Sequence, residues 1–236
     1  MQKSLLYWLR ATYRANPPRL AEDETPAETL RRELRRLRGQ WEKRFREEAE
    51  RLARRFAKHV REDLDRQFTR MLKDHDLSVE FRMTAPMRDI MQATISQQVG
   101  LIRSIPEQHL AKVETLVMQS VQTGRDLGQL TTDLQQAFGV TKRRAALIAK
   151  DQNDKATASM TRARQVDLGI TEAIWLHSHG GKKPRPKHLA FNGKRYSTKT
   201  GAPIGDNGQN VFPGEEINCR CRSRSILAGL TKTEPK

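Results

Sequence analysis

Cys219 and Cys221 stand two positions apart, as do His177 and His179, and His188 follows an Arg-Pro-Lys run between the two pairs. Thiolate and imidazole are the donors that zinc prefers, four of them in a tetrahedron. Cys219, Cys221 and His188, with either His177 or His179, supply that set. In extended chain, residues i and i+2 face the same way. The two cysteines then share one face while Arg220, Arg222 and Arg224 line the other. His177 and His179 share a face with Trp175. C-x-C and H-x-H spacings are weaker signals than paired C-x-x-C knuckles. The plainer reading is the favoured one here: two small buried cysteines and a structural hydrogen-bonding His188. The cofactor alternative is one structural zinc, a clip that would suit a module with a thin apolar core.

Other chemistry is harder to draw. His188 with Asn192, Glu215 and Glu216 sketches a metal-dependent phosphodiesterase, but no paired carboxylates sit at a recognisable spacing. A cysteine nucleophile beside His188 lacks a supporting motif. No catalytic residue is assigned. Arg185 has a simpler use, as a fork onto a carboxylate such as Glu215 or Glu216. The remaining cations are dense: Lys182, Lys183, Arg185, Lys187, Lys194 and Arg195 in the loop, then Arg220, Arg222 and Arg224. They are expected to meet phosphate without reading sequence.

The elements that position these residues follow from apolar spacing. Residues 1–26 read as a loosely ordered arm, with Asn16-Pro17-Pro18 breaking any helix. Residues 27–85 hold one long charged amphipathic helix or helical hairpin, its stripe running from Leu30, Leu34 and Leu37 to Phe68 and Met71. Residues 86–169 form a helical body. Its first helix ends near Arg103, and Ser104-Ile105-Pro106-Glu107 looks like a new helix start. Gly139 ends a short helix, Thr141 caps the next, and Gly169 stops it. Ala145, Ala149, Ala156, Met160 and Ala163 form its inward face. Residues 170–230 form a small β-rich Cys/His/Arg module with strands near Ile174–His177 and Ile217–Ile226. Residues 231–236 are a tail. The fold class is mainly α, a long N-terminal helix plus a helical body, with a small C-terminal α+β, loop-rich module.

The chain has 236 residues and a formal charge of +16. So basic a surface suits nucleic acid, an anionic membrane or an acidic protein. Aromatic content of 6% argues against serial base-stacking platforms. No apolar run approaches the roughly 18 residues of a membrane span, and no membrane partner is expected. MQKSLLYWLRATYRA lacks the h-region and cleavage site of a signal peptide. Two cysteines suggest a reducing compartment.

The stretch from Met87 to Leu227 resembles the phage Mu protein F-like minor head proteins, also called the phage head morphogenesis domain. Three blocks carry the resemblance: LIRSIPEQHLAKVETLVMQSVQTGRDLGQLTTDLQQAFGV; the long helix from Arg143 that ends in Gly-Ile and feeds the Trp175 strand; and RPKHLAFNGK followed by PGEEINCRCRS. The last block is the most specific. The resemblance implies a structural protein of tailed-phage heads, in the virion at the head interior or portal vertex, and in host cytoplasm during assembly. Its implied partners are portal and capsid proteins and double-stranded DNA, with roles suggested in packaging or ejection. Self-association through the N-terminal helix is a further expectation from the residues. Many relatives carry an acidic residue shortly before the Arg-x-x-His element; here stands Gly180-Gly181-Lys182-Lys183-Pro184. Some relatives carry a toxin domain after the Cys-Arg-Cys block, for which too few residues follow here. The alternatives are a sequence-independent DNA-binding accessory protein and a metal-dependent nuclease.

Overall fold

The computed structural model describes residues 1–15, 26–123, 127–180 and 183–227. The 16–18 break, Gly181, Lys182 and the 231–236 tail lie outside them. Among the described residues the elements run α1 (Gln2–Ala15), α2 (Pro26–Lys73), α3 (Ala85–Gln122), α4 (Leu127–Asp167), β1 (Glu172–Leu176), α5 (Pro186–Ala190), β2 (Arg195–Ser197) and β3 (Arg222–Ser225). The class is the expected one, mainly helical with a small C-terminal sheet. The chain divides into two compact units, Met1–Leu52 with Gln97–Ile148, and Ala53–Ser96 with Ala149–Lys236.

In the first unit α1 replaces the expected loose arm. Leu5 and Leu9 lie one helical turn apart and are both buried. Leu9 packs with Leu30, Leu34, Val113, Val117, Leu130 and Leu134, and Leu5 with Leu37 and Leu110. Two leucines are too short a stripe to announce a helix, because their burial depends on partners far away in sequence.

The expected helix boundaries at Ser104 and Gly139 are absent. Ser104 Oγ donates to the Leu101 carbonyl at 2.8 Å instead of capping, and Pro106 lies inside α3. Burial of Leu110, Val113 and Val117 beyond it outweighs the one helix hydrogen bond that proline removes. Thr141 does not cap either. Its Oγ1 donates to the Ala137 carbonyl at 3.1 Å and so accepts from His109 Nδ1 at 3.0 Å.

In the second unit α2 presents Ala57, Val60, Leu64 and Phe68. Val60, Leu64 and Phe68 pack on Met87, Ala156, Met160, Ala163 and Ile170. Of the inward face expected on α4, Ala156, Met160 and Ala163 are buried, while Ala149 is exposed. Arg164, 1% exposed, reaches Asp65 Oδ1 with Nε at 2.9 Å and the Arg82 carbonyl with Nη1 at 2.9 Å. The end of α4 is the one foreseen: Gly169 has φ +69°, and the Gly169 and Ile170 N–H groups donate to the Val166 and Gln165 carbonyls, the Schellman arrangement.

After that stop the chain enters an antiparallel sheet of order β2-β1-β3. Ala173 pairs with Tyr196 and Ser225, and Trp175 with Ser223. Ala173, Trp175, Tyr196, Ala202, Ile204, Val211, Cys219 and Cys221 make the core of this module. The expected strand over 217–226 shrinks to Arg222–Ser225. Asn218 takes φ 60° and donates its N–H to Asp151 Oδ1 at 2.6 Å, so the chain before Cys219 turns instead of extending.

Candidate functional site

Proline supplies the first part of the site. Pro186 opens α5, whose one turn carries His188 inward. β1 supplies Trp175, whose ring meets His188 edge-on at 5.0 Å. The loop before β3 supplies Cys219 and Cys221, both free thiols. His188 is 2% exposed, Cys219 4% and Cys221 3%. His188 Nδ1 lies 3.5 Å from Cys219 Sγ and 3.8 Å from Cys221 Sγ. All three donor atoms lie within 4.8 Å of one another. The opposite ring nitrogen, Nε2, lies 2.9 Å from Glu216 Oε2, although off the line of a good hydrogen bond. Nδ1 thus faces the two sulfurs and Nε2 faces the carboxylate.

The two thiols do not titrate alike. Cys219 is pushed down to about 5, chiefly by a hydrogen bond from Cys221, against the opposing effect of burial. The Cys221 and Gly214 N–H groups and His188 add to the lowering. Cys221 is pushed up by that same hydrogen bond and by burial. The pair thus holds one thiolate and one thiol. Trp175 Nε1 has no hydrogen-bond partner among the described residues. Its N–H favours the ionised form of Cys221, as does the backbone of Ser178. A metal needs thiolates.

His177 and His179 are not gathered into this cluster. Their rings stack edge-on at 4.6 Å, and His177 Nδ1 accepts the His179 N–H at 3.1 Å. His177 lines a small cavity of about 40 Å³ with the cluster residues and is lowered from its ordinary value, mainly by burial.

Most residues of the PGEEINCRC block have a physical use. Gly214 has φ +86°, and a Cβ there would sit 3.0 Å from Ala158 Cβ and 3.3 Å from the Asp154 carbonyl. Glu215 accepts the Phe212 N–H at 2.8 Å. Arg185 Nε lies 3.3 Å from Glu216 Oε2 and donates to Asp206 Oδ2 at 3.3 Å, and Arg185 Nη2 donates to the Ile217 carbonyl at 3.1 Å. Arg220 donates to the Gly180 carbonyl, and Arg222 to Asp154 Oδ1 at 2.8 Å.

The basic ridge is therefore only partly open. Cys219 and Cys221 are buried while Arg222 and Arg224 are exposed, as the i,i+2 pattern required. Yet Arg185, Arg220 and Arg222 are spent on internal acceptors, and Lys187 Nζ donates to the Gly205 carbonyl at 3.0 Å. Arg195 lies 3.7 Å from Glu172, with both side chains more than half exposed. Lys194 lies over Phe191. For Lys183 and Arg224 no ion pair occurs among the described residues. Asp151, Asp154, Gln165 and Glu216 were not foreseen in these roles. Gln165 donates to Ser223 and Ser225 Oγ at 2.8 and 3.0 Å, a link visible only once α4 and β3 are adjacent.

Residues 111–224 match the family model described as Phage Mu protein F like protein. An uncharacterized protein of Haemophilus influenzae (strain ATCC 51907 / DSM 11121 / KW20 / Rd) is 30% identical over 152 residues, covering 64% of this chain and 33% of the relative. The chain thus spans about a third of the length of that curated relative. No solved structure matches.

Proposed function

We propose, from a chain whose residues 111–224 belong to the phage Mu protein F-like family, that this protein is a minor head protein serving head morphogenesis in a tailed phage. It binds portal or capsid subunits on the head interior and contacts packaged DNA by sequence-independent electrostatics, with a part in packaging or ejection. The family match is the observation that carries this reading. The net charge of +16 supports the DNA contact. No described helix is long and apolar enough to cross a membrane. Tyr7 at 66% and Trp8 at 43% exposure give α1 an apolar surface suited to a protein partner.

The nuclease alternative fits the site poorly. His188 is buried against two sulfurs and a carboxylate, with no nitrogen turned to solvent as a general base. Asn192 Oδ1 accepts the His177 N–H at 2.8 Å. Glu215 is engaged with Phe212.

The test is the protein content of purified phage particles together with capture of portal and capsid subunits by the tagged full chain. Presence in particles and capture of a head subunit is the expected result. Absence from particles with retained DNA binding would instead make it an accessory DNA-binding protein.

A further inference from the structure

We propose that His188 Nδ1, Cys219 Sγ and Cys221 Sγ ligate one zinc ion, with a water as fourth ligand entering from the adjoining surface cavity. The spacing argues first. A tetrahedral zinc with Zn–S of about 2.3 Å and Zn–N of about 2.0–2.1 Å sets nitrogen and sulfur ligands about 3.6 Å apart. The two sulfurs lie 3.5 and 3.8 Å from Nδ1. All three donor atoms lie within 4.8 Å of one another, close enough to share one ion.

A second observation is independent of the spacing. A zinc-bound histidine commonly turns its other ring nitrogen to a carboxylate, which fixes the ring and raises its basicity. Glu216 Oε2 stands 2.9 Å from His188 Nε2. Arg185 Nε, 3.3 Å from the same oxygen, holds that carboxylate in turn.

The fourth corner opens on the cavity of about 40 Å³ lined by His177, Lys183 and Arg220. That space takes about one water. His177 does not fill the corner: its Nδ1 accepts the His179 N–H, so the neutral ring carries its proton on Nε2 and offers no lone pair there. Among the described residues no carboxylate lines the cavity, so none of them stands ready to take a proton from the bound water. Three ligands and an open corner elsewhere mark catalytic zinc; here the site is a clip. It joins α5 to the loop that leads into β3, across a module whose core is eight buried residues.

The full reduced chain, stripped with chelator and titrated with Co²⁺ and then Zn²⁺, decides the matter. The expected result is a thiolate-to-cobalt charge-transfer band saturating at about one metal per chain and abolished by zinc. Cys219→Ser and Cys221→Ser each lose that band. Glu216→Gln keeps it with affinity reduced about 10–100-fold, whereas Glu215→Gln leaves affinity unchanged. A wild-type chain with no thiolate–cobalt band overturns the proposal, as does a band that survives both cysteine substitutions. The wild-type titration decides even where a variant does not fold.

Discussion

His188 Nε2 and Glu216 Oε2 stand 2.9 Å apart, on the side of the imidazole away from the two thiols. Glu216 is thus a hub: it faces His188, receives Arg185 and sits in the turn that delivers Cys219. Glu216→Ala leaves a buried ring nitrogen without its carboxylate and leaves Arg185 only Asp206 and the Ile217 carbonyl. A stranded buried polar group costs about 1–3 kcal/mol, so the variant should unfold at correspondingly lower denaturant. Glu215→Ala, which loses one contact to a backbone N–H at an exposed residue, should cost less. Equal costs for the two would remove Glu216 from this central role.

Gly214 tests the fit of the same loop against α4. At φ +86° any side chain is strained, and this one would also meet Ala158 Cβ at 3.0 Å and the Asp154 carbonyl at 3.3 Å. Gly193 has φ +78° with open space around it. Gly193→Ala should therefore show the backbone penalty alone, about 1–2 kcal/mol. Gly214→Ala should add an overpacking cost of about 1–3 kcal/mol. Chemical denaturation of both variants checks the difference.

The distribution of charge gives a prediction about DNA. Arg185, Lys187, Arg220 and Arg222 are engaged with internal carboxylates and carbonyls, while Lys183, Lys194, Arg195 and Arg224 are exposed. If the proposed DNA contact uses this module, alanine at those four positions should flatten the salt dependence of duplex binding. Each lost phosphate contact lowers the slope of log K against log salt by about 0.9. A slope unchanged in the fourfold variant would move the contact to other cations, such as those of α2.

What the sequence made legible, and what it hid, follows from range. The Gly169 stop, the buried–exposed alternation from Cys219 to Arg224 and the α2 stripe are set by residues a few positions apart, and they could be read directly. Cys219, Cys221 and His188 could be nominated by chemistry. Glu216 as the carboxylate behind His188 could not be picked from Glu215, because the choice depends on a turn whose Asn218 is fixed by Asp151 on α4. Ser104 and Thr141 misled for the same reason. Each has a capping residue's chemistry, yet the packing on either side keeps the helix running and leaves the hydroxyl to bond back to its own helix.

His109 sets a pH dependence. It is 3% exposed, and burial, helped by the Met1 ammonium, lowers it from its ordinary value. Its Nδ1–H donates to Thr141, which fixes the tautomer of the neutral ring. The unfolded chain takes up a proton near the ordinary value of about 6.5, before the folded chain does. Stability should therefore fall as pH drops below about 6.5 and level off below the folded value. His177 is lowered in the same sense, so the informative quantity is a difference. His109→Gln should lose less stability than the parent between pH 7 and pH 5. Parallel curves would show that this histidine is not the sensor.

Arg164 asks whether a buried charge here stabilises or only specifies. Its Nε and Nη2 both lie 2.9 Å from Asp65 Oδ1, and its guanidinium lies over Phe81 at 4.9 Å. Removing one member of a fully buried pair costs about 3–5 kcal/mol. Here Arg61 stays 3.6 Å from Asp65 and Asp167 stays 3.6 Å from Arg164, so Arg164→Ala and Asp65→Ala should each fall short of that loss, and the double variant should cost less than their sum. Arg164→Met with Asp65→Leu sharpens the question, since apolar replacements of similar size often match a buried pair. Here the Arg82 carbonyl, which receives Arg164 Nη1 at 2.9 Å, would lose its donor, so full recovery is not expected. The predicted outcome is a double variant more stable than either alanine variant but below the parent, by about the 1–3 kcal/mol of one stranded carbonyl. A double variant above the parent would mean that the ion pair was kept for the register of α4 on α2 and not for stability.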